Sequence, residues 1–128
     1  MNVEQFSPDR GPICVPAQVS GPSRSIHINL VLDTGATRTT IKRSVLIHLG
    51  FDPERDGYPS KVITGSQVEA VQVVTLTRLF ALGQNRVGFA VAAHSIPPEA
   101  NIDGLLGLDF FRGHVLTLDF RAGSIALA

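Results

Sequence analysis

Polar and apolar positions alternate along much of this chain, and the alternation outlines its strands. Ile26, Ile28, Leu30 and Leu32 are spaced two apart between His27, Asn29 and Val31. A period of two predicts a strand from about Ser25 to Leu32 with one buried face. Ile13, Val15, Ala17 and Val19 repeat the pattern and predict an earlier strand, with Ser20-Gly21-Pro22-Ser23 as the turn between the two. Pro12 and Pro16 point to an edge position for that first strand, since proline has no N–H for a ladder. The β-branched residues Thr39, Thr40 and Ile41 predict a short third strand within residues 37–42. The period then changes. From Lys42 to Leu49, Val45, Leu46 and Leu49 share one face of two helical turns, and Gly50 is the stop signal.

Residues 51–59 are polar, contain two prolines and a glycine, and read as a loop. Two extended arms follow within residues 61–68, around Thr64-Gly65-Ser66, and predict a hairpin. A long strand continues to Leu82 through Val71, Val73, Val74, Leu76 and Leu79. Gly83-Gln84-Asn85 turns the chain back into a strand over residues 86–93, and Pro97-Pro98 ends it. Leu108 to Phe111 suggests a short helix closed by Gly113, and residues 115–120 and 125–127 form a closing hairpin. Residues 1–12 are polar, carry Pro8 and Gly11, and read as a flexible N-terminal arm before a single domain over 13–128. Frequent turn signals with little helix predict a mainly β fold with one or two short helices.

Composition narrows the functional classes. A chain of 128 residues, 44% apolar and 17% charged, suits one globular domain with a real core. Eleven basic and eleven acidic residues cancel, so no nucleic acid or anionic membrane is expected as a partner. No apolar run approaches the roughly 18 residues of a membrane span and no signal-peptide pattern is present, so the expected location is cytoplasmic. Cys14, the one cysteine, is read as a small buried hydrophobe. His27, His48, His94 and His114 show no ligand spacing, so no metal site is expected. Gly65-Ser66 lacks a serine-hydrolase context, and residues 34–37 lack the lysine of a phosphate loop.

The chemistry concentrates at Leu32-Asp33-Thr34-Gly35-Ala36-Thr37. A carboxylate at the end of an apolar strand, followed at once by Thr and Gly, is good turn chemistry and also suits an acid–base group. Gly35 permits a sharp turn and close backbone approach, so that a backbone N–H and the Thr34 hydroxyl hold Asp33 in one orientation. A second stretch, Ile102-Asp103-Gly104-Leu105-Leu106-Gly107-Leu108-Asp109-Phe110-Phe111, places two large apolar residues before a glycine and an Asp two positions later.

With Val31-Leu32-Asp33-Thr34-Gly35-Ala36 in the earlier stretch, this pair of motifs resembles the retropepsin-like aspartic proteases, over roughly residues 13–127. The resemblance implies a single-domain retropepsin-like acid protease fold, a closed barrel-like sheet with a flap hairpin. Asp33 would be the catalytic carboxylate, supported by Thr34, Gly35 and Ala36. Ile63, Thr64, Gly65 and Ser66 would be the flap over a peptide substrate, and Leu105, Leu106, Gly107 and Asp109 the structural motif beside the catalytic loop. Only Asp33 stands in an Asp-Thr-Gly context, so one chain supplies half a site and the implied enzyme is a homodimer without metal or cofactor. Thr37 and Leu108 stand where retroviral members carry a paired acid and arginine, which makes the chain more similar to the cellular and bacterial branch. The alternative is a catalytically silent domain of the same fold, serving dimerisation or peptide binding.

Overall fold

The computed structural model describes residues 2–64, 66–96 and 100–128. Along the chain the strands are β1 (Asn2–Gln5), β2 (Cys14–Ser20), β3 (Ser25–Leu32) and β4 (Thr40–Lys42). Two short helices follow, α1 (Arg43–His48) and α2 (Pro53–Asp56), then β5 (Tyr58–Thr64), β6 (Gln67–Ala81) and β7 (Gln84–His94). The chain ends with β8 (Gly104–Leu106), helix α3 (Leu108–Phe111), β9 (Leu116–Asp119) and β10 (Ser124–Leu127). The fold is mainly β, as the alternation predicts.

Six strands close into a barrel in the order β2-β3-β8-β4-β7-β6, and β6 returns to β2 through Ala17↔Ala81 to Ser20↔Arg78. Closure leaves the ring without a free edge. Among the described residues β5 pairs only with β6, at the end of the strand order. On the inward faces of β2, β3 and β6, Val15, Val19, Leu30, Leu76 and Leu79 are fully buried, with Ile26 and Leu32 partly so. Ile41, Leu46, Leu49, Leu106 and Phe110 complete that interior. The helical face expected over residues 42–49 is the one that packs, with Leu46 and Leu49 inaccessible and Val45 partly covered.

Four expectations change. β2 is not an edge strand, because it pairs with β3 on one side and β6 on the other. Leu32 N–H donates to the Ile13 carbonyl, so by antiparallel alternation the Pro16 nitrogen points away from β3. The β6 ladder starts only at Ala17, so proline interrupts neither pairing. The loop expected over 51–59 contains α2, which starts because Asp52 accepts from the Glu54 and Arg55 N–H groups with Pro53 at the first helical position. The turn expected at 83–85 lies at Leu82 and Gly83, both left-handed with φ of 49° and 74°. That pair of positive angles suits a two-residue hairpin, and burial of the Leu82 side chain offsets its backbone strain.

The fourth change concerns residues 1–12. Residues 2–5 form β1, which pairs with β10 in a separate sheet of order β1-β10-β9. Phe6 N–H then donates to the Gly123 carbonyl at 2.8 Å, and the Phe6 ring meets Phe120 edge-on at 5.7 Å. The partner strand lies more than a hundred residues away, so no local pattern reports the pairing.

Candidate active site

Asp33 lies where β3 stops and the backbone turns. Its N–H donates to the Leu106 carbonyl of β8 at 3.0 Å, and Ala36 N–H donates back to the Asp33 carbonyl at 3.1 Å, closing a β-turn. Inside the turn the Gly35 N–H donates to Asp33 Oδ1 at 2.9 Å. A Cβ on Gly35 would stand 3.2 Å from that same oxygen, so the close approach favours glycine. The carboxylate is half-buried, and Oδ2 accepts no hydrogen bond among the described residues. Thr34 is exposed and its hydroxyl makes no hydrogen bond to Asp33. The orientation expected from two groups therefore comes from the Gly35 N–H alone.

β8 holds this loop from behind. It runs parallel to β3 through Leu30↔Gly104 to Leu32↔Leu106 and antiparallel to β4 through Thr40↔Leu105 and Ile41↔Gly104. Threading between two strands requires glycine at both ends of the Leu105-Leu106 pair. A Cβ at Gly104 would collide with the Thr40 carbonyl oxygen. At Gly107 it would come within 2.7 Å of the Ala36 carbonyl oxygen and 2.8 Å of the Arg38 carbonyl carbon. Leu106 is fully buried and Leu105 partly so.

Asp109, in the first turn of α3, ties the two loops together. Both its carboxylate oxygens lie 2.9 Å from the Thr39 N–H, and Oδ1 accepts from the Thr39 hydroxyl at 2.7 Å. The hydroxyl oxygen in turn accepts from the Gly107 N–H at 3.1 Å. Ala36 and Thr37 carbonyls accept from the N–H groups of Leu108 and Asp109 at 2.8 and 3.2 Å. Where the side chains of residues 37 and 108 carry no charge, backbone bonds and the Asp109–Thr39 contact make the connection.

Two contributors escape the sequence reading. Thr39 is fully buried, and its role shows only once α3 is seen to pack on the loop. Asp103 accepts from the Asn29 N–H through Oδ2 at 2.9 Å, and its carbonyl accepts from the Lys42 N–H at 2.8 Å, joining β3 to β4 just ahead of β8. A carboxylate directly before Gly104 in an apolar stretch is the one signal that marks it.

The hairpin residues lie apart from this cluster. Ile63 pairs with Val68 and Thr64 with Gln67, with Ile63 and Ser66 exposed, while Gly65 lies outside the described residues. Among the described residues no hydrogen bond joins the hairpin to the Asp33 loop, and no group of three or more His, Cys, Asp or Glu side chains is placed to hold a metal. A groove of about 430 Å³, lined by Arg43, Glu54, Gln72 and His94, and another of about 440 Å³, lined by Lys42, Ser44 and Ile47, do not include Asp33. Cys14 is only partly buried and pairs in register with Val31. No helix among the described residues is long and apolar enough to cross a membrane.

Comparison with known proteins agrees with this geometry. The profile of a family described as aspartyl protease matches residues 15–110, a span that includes the first motif and the second as far as Phe110. Among solved structures, the chain is similar to a retropepsin-like aspartic protease from Rickettsia conorii, with a TM-score of 0.69 at 18% identity over 100% of this chain and 99% of the other. At that identity the likeness establishes the fold. No curated protein matches by sequence.

Proposed function

The chain belongs to the aspartyl protease family with a retropepsin-like fold, and on that premise we propose that it is an aspartic endopeptidase that works as a homodimer. The observation that carries the reading is Asp33 itself. It is a half-buried carboxylate at a strand end, one oxygen held by the Gly35 N–H and the other accepting no hydrogen bond among the described residues, in a chain that has this motif once. A second copy supplies the second Asp33 across a two-fold axis. Two carboxylates in contact hold one proton between them, because both cannot ionise at close range. The ionised one takes a proton from the attacking water, and the protonated one donates to the scissile carbonyl oxygen. No metal or cofactor enters this scheme. The exposed Thr34 hydroxyl, without a hydrogen-bond partner among the described residues, is available to the partner's backbone. The hairpin around Ile63, Thr64, Gly65 and Ser66 acts as the flap over an extended peptide.

The test is cleavage of an unstructured protein at about pH 4–6 by wild type and Asp33→Asn, with and without pepstatin. The expected result is cleavage by wild type, inhibition by pepstatin, and none by the variant, whose melting curve and dimer stay unchanged. Cleavage by purified Asp33→Asn at the wild-type rate would overturn the assignment. A wild type that forms the dimer and binds peptide without cleaving it would indicate the silent binding module instead.

A further inference from the structure

The ladders leave part of the β5–β6 hairpin outside the barrel. β6 pairs with β7 from Ala81↔Gln84 up to Gln72↔Ala93, and with β5 from Tyr58↔Val73 out to Thr64↔Gln67. From Val71 to the tip, the two arms have only each other as ladder partners. Val71 and Val62 pack in one apolar cluster with Val73 and with Ala92 of β7, and one polar side chain of the hairpin also reaches back to the barrel. Glu69 Oε2 lies 2.6 Å from Nε2 of His94, the last residue of β7. Extending the β6–β7 register by one places Val71 opposite His94, so Glu69 is its diagonal neighbour on the same face, two residues nearer the tip. Among the described residues, no other side-chain hydrogen bond or ion pair joins residues 58–71 to the rest of the chain.

The other ring nitrogen, Nδ1, lies 3.0 Å from the Ser95 carbonyl oxygen. A carbonyl oxygen and an ionised carboxylate can only accept. Both contacts are therefore hydrogen bonds at the same time only when both ring nitrogens carry protons. We propose that Glu69 and His94 form a pH-sensitive latch that fastens the flap hairpin to the barrel, closed at mildly acid pH and released as pH rises towards neutral. Glu69 and His94 thus act as positioning residues for the flap.

The charged groups around the ring are consistent with that sign. Arg43 of α1 and Glu54 of α2 line the same groove and are paired with each other, so their charges offset. Lys42 of β4, the register partner of His94, adds a positive charge on that side. β5 contributes only Pro59 to the groove. Glu69 is the one neighbour whose charge favours the imidazolium without already being paired elsewhere. An imidazolium that gains a partner contributes its stabilisation while protonated and loses it as pH rises, within the range where histidines change charge.

The inference rests on the flap role proposed above, but its test does not require activity. Amide hydrogen exchange is measured at pH 5 and pH 8 for peptides covering 58–64 and 67–73, as protection factors, with β2 and β3 as internal reference. Wild type is expected to lose about twofold to fivefold more protection in the hairpin than in the reference between the two conditions, the range for a partly exposed ion pair. Glu69→Gln and His94→Gln, which act on opposite partners, are each expected to flatten that difference, and the double variant adds nothing further. Full protection of β2 and β3 in at least one single variant shows that the fold is intact. A wild-type hairpin equally protected at both pH values, or a folded Glu69→Gln variant with the wild-type pH response, overturns the latch. If the chain is not a protease, the exchange result is unaffected. If it is, a higher KM at pH 5 with unchanged kcat in Glu69→Gln supports the latch, and a fall in kcat alone overturns its flap role.

Discussion

Asp109→Ala tests whether the carboxylate behind the Asp33 loop holds that loop in place. Two donors of Thr39, its N–H and its hydroxyl, end on Asp109, and Thr39 is 0% exposed. Truncation leaves both donors without their acceptor. A hydrogen bond to a charged acceptor contributes about 1.5–3 kcal/mol, so the pair sets an upper limit of about 3–6 kcal/mol. Asp109 itself is only half-buried, so solvent reaches part of the vacated space and the expected cost is about 2–4 kcal/mol. Asp109→Asn keeps one acceptor oxygen and loses the charge, for about 1–2 kcal/mol. The assay is urea unfolding at fixed protein concentration, read as a shift in midpoint at constant slope. Thr39→Ser, which keeps the hydroxyl and its bond from Gly107, is expected to lie closer to wild type than Thr39→Val. Since the same contact holds the segment running back to Asp33, kcat/KM in Asp109→Ala is expected to fall by about tenfold or more. An Asp109→Ala protein within about 0.5 kcal/mol of wild type, the scatter of ordinary surface changes, would refute the reasoning.

Gly107→Ala places a methyl against two backbone atoms that cannot rotate away, and is expected to cost about 1–3 kcal/mol in denaturant unfolding and to lower activity by displacing Ala36. For the proposed dimer, raising the pH until the shared proton is lost leaves two facing carboxylates, so sedimentation should show association weakening from about pH 5 to 8. Asp33→Asn should flatten that profile, and a wild-type dimer that tightens with pH would mean the two carboxylates do not meet. Asp56 is held below the usual carboxylate range by the hydrogen bond from Arg55 and by the Asp52 N–H. Its depressed value means that its stabilising contribution is present above the ordinary aspartate range and is lost as pH falls through the folded value. The stability gap between wild type and Asp56→Asn should therefore narrow in acid, and a gap that widens would contradict the contacts.

Much of this architecture is readable along the chain because its information is local. Period-two alternation marks β3 at its observed bounds, and the apolar face of residues 42–49 marks α1, since burying one face requires that spacing. The Asp33-Thr34-Gly35 turn is equally local, because the hydrogen bond that orients the carboxylate spans two residues. Gly104 and Gly107 are visible as glycines in an apolar stretch, but the sequence does not show what they avoid.

What the tertiary structure decided are the contacts between residues far apart. β1 meets β10 across the length of the chain, and Pro16 sits in a strand paired on both sides because the β6 ladder begins one residue later. Thr39 becomes a buried anchor only when Asp109, 70 residues on, swings under it at the start of α3. Glu69 and His94, 25 residues apart, become a pair only because β6 and β7 fix which residues lie diagonal to each other. Composition and periodicity specify which face of an element is buried. The identity of the side chain it meets depends on register and closure, which arise from the whole barrel packing at once.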